Sequence, residues 1–374
     1  MIPCAADGNP LKLYIGATRQ NDGKTITSLG LIYALTQRAD RVGYIKPVGQ
    51  RYVDVEGHRV DEDALLIQEC YHLGVRLPDM SPIAIPRGFT EDYIQNPDQD
   101  KLAKSVIDSY ARIASDSDIV VIEGTGHAGV GSVFDMSNAD VAELLGAKVV
   151  LVSSGGIGRP IDEIMLNKAL FDQRGVEIVG VIVNKVQPDK YDKINRVVRL
   201  GLERLGLECV GVMPYRQLLS SPTMEQLLED LGGKLISGRS GLKNTVERMI
   251  IGAMAPHEAL GYFERGVLLI TPGTREDLVL AAMSSCVAGV GKRNCVSGII
   301  ITGGTEPHPN IFALIQRTFI PVISVPDDTF AVASKVDKLI VKIRPGDYEK
   351  IRETQEMFTE FVDVDRILEK ISPS

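Results

Sequence analysis

Residues 11–30 read LKLYIGATRQNDGKTITSLG, and the rest of the chain is organised around them. Leu13, Tyr14 and Ile15 form a short apolar run of strand character, followed by a polar, flexible loop. Gly23-Lys24-Thr25 then opens a segment in which Ile26, Leu29, Ile32 and Leu35 recur at helical spacing. Strand, loop, Gly-Lys-Thr and helix make the layout of a phosphate-binding loop. Its backbone N–H groups and helix N-terminus cradle anionic oxygens, its lysine reaches the outer phosphates, and its hydroxyl takes Mg²⁺. The spelling is irregular, because the motif's spacing would put a glycine at position 18, where Thr18 stands. A solvated strand-to-helix turn carrying an incidental Gly-Lys-Thr is the plain alternative.

Bulk properties narrow the field. A chain of 374 residues is long enough for two or three domains, each with its own core. The chain is 44% apolar and 24% charged, the balance of an ordinary globular protein. A net charge of −8 without a basic stripe argues against nucleic acid as a partner. No apolar run reaches the roughly 18 residues of a membrane span, and the N-terminus MIPCAADGNP lacks the pattern of a secretory signal. Cys4, Cys70, Cys209, Cys286 and Cys295 are scattered and never spaced as metal pairs. They are expected to be reduced thiols of a cytoplasmic protein.

Further along, Arg41 to Val48 predicts a second strand, ending in Lys46, which the following proline holds extended. A charged stretch from Asp54 leads to a helix beginning near Asp63. Leu77 to Asp100, rich in Pro, Asp and Gln, is expected to be a long surface excursion, and a helix follows over Lys101 to Ala114. Asp118-Ile119-Val120-Val121-Ile122 is a continuous apolar run, the mark of a strand buried on both faces, and it stops at Glu123. Ala147–Val152, Glu177–Val183 and Glu208–Met213 are expected to be further strands. Alternation of strand and helix with buried strands predicts a doubly wound parallel sheet. Ligands collect at the carboxyl ends of such strands, and Lys24, Lys46, Glu123 and Asn184 all fall at or just after those ends. Pro214 to Asn244 reads as a connector at a domain boundary. Beyond it, Gly266–Thr271, Val296–Thr302 and Pro321–Val325 predict strands of a smaller α/β unit, with helices at Glu276–Gly289, after Pro309 and from Thr329. Asp347 to Ile371 predicts one or two helices.

Phosphoryl transfer asks a protein for positioning and charge neutralisation. Lys24 supplies a cation at the outer phosphates, and Lys46 one at the group being transferred. Mg²⁺ takes few protein ligands, and topology lets Glu123 and Asp63 join Thr25 at the metal. Asp63 would equally serve as a helix cap. His127, next to this site, is a weaker candidate for a general base. Arg19 suits either a transferred phosphate or solvent. In the smaller unit, Gly273 and Gly303-Gly304 suit either anion-binding nests or plain tight turns.

The set Gly23-Lys24-Thr25, Lys46-Pro47-Val48, Asp63-Ala64-Leu65, Glu123-Gly124-Thr125-Gly126 and Gly180-Val181-Ile182-Val183-Asn184 resembles dethiobiotin synthetase over about residues 11–215. The resemblance implies a P-loop NTPase-like domain. ATP phosphates would be held by the loop (Thr18, Asp22, Gly23, Lys24, Thr25, Ile26), with Lys24 and Lys46 at the phosphates and substrate. It further implies Mg²⁺ on Thr25, Asp63 and Glu123, adenine at Asn184, activation of a carboxylate or carbamate through an acyl-phosphate, and a homo-oligomer. The loop Thr18 to Asp22 departs from that family, and the substrate-side residues do not match it.

Residues 216–345 resemble the DRTGG domain through Leu268 to Asp277, Gly298 to Gly304 and Val325 to Thr329, with Thr274 in place of the first Asp. The expected organisation is a nucleotide-binding domain over 1–215, a DRTGG-like domain over 216–345 that senses a small ligand, and a helical tail over 346–374. That pairing looks like the N-terminal part of long bacterial phosphate acetyltransferases. The part of those enzymes that transfers acetyl groups has no match in these residues, so acetyl transfer is not expected of them. A regulatory module that binds nucleotide without turning it over is the competing expectation.

Overall fold

Six apolar segments pair as strands: β1 (Leu11–Ala17), β2 (Val42–Ile45), β3 (Ile119–Glu123), β4 (Lys148–Ser154), β5 (Ile178–Val186) and β6 (Cys209–Pro214). In the computed structural model, which describes residues 9–287, 295–305 and 307–372, they form one parallel sheet in the order β6-β5-β4-β1-β3-β2. Every residue of β3 is buried, as a strand flanked by layers on both faces requires. The intervening helices include α1 (Lys24–Thr36), α2 (Glu62–Tyr71), α3 (Gln99–Ala114), α4 (Asn138–Leu145), α5 (Gly158–Gln173) and α6 (Tyr191–Glu203). The chain turns back on itself about β1, with β2 and β3 on one side and β4 to β6 on the other. In sheets of this type such a reversal opens the ligand crevice.

The chain divides into two units. The first runs to Tyr215 and resumes at Ile343; the second is Arg216–Lys342. The C-terminal helices Tyr348–Phe361 and Val364–Ile371 pack on the first unit. Phe358 lies fully buried against Gly30 of α1. Glu208 holds Arg366 at 2.7 Å and Lys370 at 2.7 Å, and the Asp363 amide donates to the Val210 carbonyl at 2.8 Å.

The second unit has a five-stranded sheet built from β7 (Lys234–Ser237), β8 (Arg248–Ile251), β9 (Val267–Pro272), β10 (Gly298–Thr302) and β11 (Val322–Ser324), in the order β7-β11-β10-β9-β8. Only β7 runs antiparallel to its neighbour. Helices Glu276–Val287, Pro309–Ile315 and Thr329–Asp337 accompany it. Gly289, the expected end of the first of these, lies outside the described residues. The expected connector Pro214 to Asn244 is instead the end of β6 followed, from Arg216 onward, by structured parts of this unit. Thr223 and Gln226 form a reciprocal capping box that starts the helix Met224–Asp230, whose Met224 and Leu227 are fully buried, and β7 follows.

Three other expectations change. The charged stretch from Asp54 is a β-hairpin, Tyr52–Val55 against His58–Asp61, because Glu56 and Gly57 both take positive φ and close a two-residue turn. Leu77 to Asp100 carries buried Met80, Ile83 and Tyr93. Its Phe89 meets Phe134 edge to face at 5.5 Å, so the segment seals core as well as covering surface. Cys286 and Cys295, expected as thiols, are joined in a disulfide with Cα atoms 4.6 Å apart. Cys70 and Cys209 are free, and Cys4 lies outside the described residues. Among the described residues no helix is long and apolar enough to cross a membrane.

Candidate functional site

The loop between β1 and α1 is held from several directions. Gly23 sits at the N-terminus of α1 with φ 108°, and a Cβ there would come within 2.1 Å of the Asn184 side-chain nitrogen, so only glycine fits. Asn184, buried at the end of β5, donates to the Asp22 carbonyl at 2.9 Å and accepts from the Lys185 amide at 2.8 Å. Each end of its amide thus keeps one hydrogen-bonding position. Lys185 donates to the Asn21 carbonyl at 2.6 Å. Thr18 donates to the Asp22 carboxylate at 2.7 Å, and burial raises that carboxyl's pKa against the lowering influence of Thr18. Ile26 lies half-buried in the first turn of α1. Lys24 is nearly buried and donates to the Gly126 carbonyl at 3.0 Å and the Arg19 carbonyl at 3.4 Å. Burial brings its ammonium down to a pKa of about 8, with Glu123 pulling the other way.

Beside the loop lies a buried cluster of charge. Lys46, at the end of β2, is ion-paired with Asp63, with Asp61 at 3.2 Å and with Glu123 at 3.4 Å. Glu123 is fully buried at the end of β3. One of its oxygens accepts from Thr25 at 3.2 Å and the other from Tyr44 at 3.0 Å. Burial opposes the charge on Lys46 but is outweighed by Asp63, Glu123 and Asp61, which hold the ammonium well above the ordinary lysine value. Burial raises the Glu123 carboxyl, with Lys46 opposing. The predicted residues Lys24, Thr25, Lys46, Asp63 and Glu123 are therefore brought together. Thr25, Asp63 and Glu123 present only oxygen donors, the chemistry Mg²⁺ prefers, and that ion keeps most of its waters. Among the described residues no group of three His, Cys, Asp or Glu is placed to hold a metal ion by itself, so an ion here would depend on phosphate oxygens and water as well as on these side chains.

Three residues of the site escaped the sequence reading. Asp61 caps α2 by accepting from the Asp63 amide at 3.0 Å while pairing with Lys46. A doubled Asp at a helix start was its only sequence signal. Asn138 accepts from Tyr14 at 2.7 Å and from the Thr125 amide at 2.9 Å, and donates to the Thr125 and His127 carbonyls, clamping the turn whose Gly126 carbonyl receives Lys24. Asn167 on α5 accepts from the Ala128 amide at 2.8 Å and donates toward the Thr18 carbonyl at 3.3 Å, tying that turn to the loop. Lone asparagines in helices carry no motif that would have revealed them.

Other candidates fall away from the cluster. His127 is exposed, its Nδ1 accepting from the Gly129 amide. Arg19 is ion-paired with Glu163, which also holds Arg159 at 2.9 Å. In the second unit the amides of Gly273, Gly303 and Gly304 donate to the carbonyls of Thr302, Asp327 and Val325, so these glycines serve tight turns and their N–H groups are not offered to an anion. Arg275 pairs with Asp277 and donates to the Gly252 and Met254 carbonyls, bracing a turn.

Comparison with known protein families gives two matches along the chain. Residues 12–223 match the AAA domain family and residues 226–339 the DRTGG domain. A phosphate acetyltransferase from Nitratidesulfovibrio vulgaris is 28% identical over 361 residues, covering 94% of this chain and 50% of the relative. One from Synechocystis is 25% identical over 366 residues, covering 95% and 51%. The chain thus spans about half the length of the curated relatives it matches. Among solved structures, the MinD cell division protein of Aquifex aeolicus is 15% identical and covers 55% of this chain and 83% of its own, with a TM-score of 0.35, a likeness too distant to carry an argument. With a phosphate-loop sheet formed by the first part of the chain and a separate sheet in Arg216–Lys342, the chain belongs to the AAA domain family and carries a DRTGG domain after the AAA domain.

Proposed function

We propose that the first unit binds ATP with Mg²⁺ and transfers its terminal phosphoryl group to a carboxylate or carbamate, releasing ADP, and that the DRTGG unit senses a small ligand. The observation that carries this reading is the convergence of Lys24, Thr25, Lys46, Asp63 and Glu123 at the carboxyl ends of β1, β2 and β3. Lys24 would neutralise the outer phosphates. Lys46 would meet the transferred group once its carboxylate partners turn to the metal, and Thr25, Asp63 and Glu123 would hold Mg²⁺, which supplies charge neutralisation at the phosphates. The remaining donor and acceptor of Asn184 would read adenine. The acceptor is an unassigned small molecule, and a homo-oligomer is part of this proposal. Acetyl transfer, named for relatives about twice as long, is not assigned to this chain.

A second reading has its own support. Lys46 is enclosed by three carboxylates and Arg19 is drawn to Glu163, an arrangement that also suits a module that binds nucleotide and does not turn it over. Calorimetric titration of ATP with Mg²⁺ into the wild type and Lys24→Ala, with an assay for ADP, separates the two. Phosphoryl transfer requires saturable binding that weakens at least tenfold in the variant, and ADP release by the wild type. Binding without ADP under any small carboxylate or amine supports the regulatory module. Equal binding by both proteins overturns the site.

A further inference from the structure

The second unit contains a cleft of about 750 Å³ that lies away from the signature glycines. One wall is β7 and the turn after it, Leu235 to Ser240; the other is Gln316 to Phe319, just before β11. The two walls are fixed together. Ser237 donates to the Thr318 carbonyl at 2.9 Å. Gly238 has φ 73° and approaches Ile320 so closely that a Cβ would lie 2.1 Å from its carbonyl oxygen, so the opening is built by the backbone. The volume falls within the range of small-molecule sites.

The lining has a definite chemistry. It contains two arginines, Arg239 and Arg317, and no acidic residue, on a chain whose net charge is −8. Both arginines are exposed and neither forms an ion pair with a described residue. Guanidinium forks match phosphate oxygens in pairs. Phe319 belongs to the same lining and is 63% exposed although Ile320 next to it is buried. A phenyl ring held in water by a fixed wall is a stacking surface for a planar ring. Ser240 and Gln316 add polar groups at the rim.

We infer that this cleft binds a phosphate-bearing ligand of nucleotide size, its phosphates on Arg239 and Arg317 and its ring on Phe319. The site is independent of the loop at Lys24. The chain has no tryptophan, so Phe319→Trp places a single indole in the cleft of the otherwise intact protein. The probes are ATP without metal and inorganic pyrophosphate, titrated by tryptophan fluorescence in the Phe319→Trp protein. The titrations are repeated with Lys24→Ala added, and again with Arg239→Gln and Arg317→Gln added. A saturable fluorescence change is expected, unmoved by Lys24→Ala and weakened tenfold or more by the paired arginine changes. ATP binding at least tenfold tighter than pyrophosphate assigns a nucleotide; equal binding assigns recognition to the phosphates of any such ligand. Absence of a saturable change with both probes, or a change indifferent to the arginines, overturns the inference. Because the indole reports only on this cleft, a failed ATP site at Lys24 leaves the result readable.

Discussion

Lys24 carries two demands at once, burial and charge. Its ammonium sits at a pKa of about 8 because burial disfavours the charged form, while a bound polyphosphate favours that form. Binding should therefore take up a proton near and above pH 8. Nucleotide affinity is expected to be level around pH 7 and to fall by up to about tenfold per pH unit above 8. Titrations in buffers of different ionisation enthalpy measure both effects, and an affinity flat to about pH 9 would contradict them. Lys46 presents the opposite case, a cation whose three carboxylate partners are all buried. Lys46→Met should lower stability by roughly 3–5 kcal/mol, since it leaves those carboxylates without their counter-ion. Their pKa values then rise on folding, so the deficit should shrink as pH falls, a trend that urea unfolding at neutral and mildly acidic pH would reveal. Lys24, Lys46 and Glu123 were legible in the sequence because each closes a readable apolar run. Asp61, Asn138 and Asn167 were not, because their roles in the site come from partners 11 to 149 positions away along the chain, which no local spacing encodes.

At the level of elements, the parallel strands could be read because burial on both faces makes them unbroken apolar runs, as in Ile119 to Ile122. The hairpin at Glu56-Gly57 was obscured by polar, exposed neighbours that resemble loop, and the helix capped by Thr223 by its short length between Ser220-Ser221-Pro222 and Gly232-Gly233. The C-terminal helix Val364–Ile371 depends on a small polar joint: Arg366 and Lys370 hold the Glu208 carboxylate at a pKa of about 2. That lowered value favours the folded state above the ordinary carboxylate range and loses its effect as pH falls through about 2. Glu208 is about a third exposed, and solvent screening limits the contribution to below about 1 kcal/mol. Glu208→Gln is therefore expected to speed amide exchange in Val364–Ile371 several-fold at neutral pH and to leave α1 unchanged. Equal exchange rates would show that apolar packing alone anchors the helix.

The whole molecule has a separate hydrophobic core in each unit. Units with their own cores unfold separately when the contacts between them are modest. Scanning calorimetry is expected to resolve two transitions. ATP with Mg²⁺ at about a hundred times its dissociation constant for the first unit should stabilise that unit's transition by about 2.7 kcal/mol, and Lys24→Ala should remove this shift without touching any shift of the second transition that the cleft at Arg239 and Arg317 produces. A single transition, or a shift of the first unit's transition surviving in Lys24→Ala, would exclude this assignment.

The return of the chain to its first unit after Lys342 also governs biosynthesis. While a ribosome translates the DRTGG unit, at roughly 10 residues per second and so for on the order of ten seconds, the nascent sheet must wait without Phe358 against α1 or Arg366 on Glu208. The segment emerging later can complete its fold first, leaving the earlier one exposed to proteases and chaperones in the interval. Ribosome stalling within residues 216–342 would then trap a nucleotide-binding sheet that lacks its last layer.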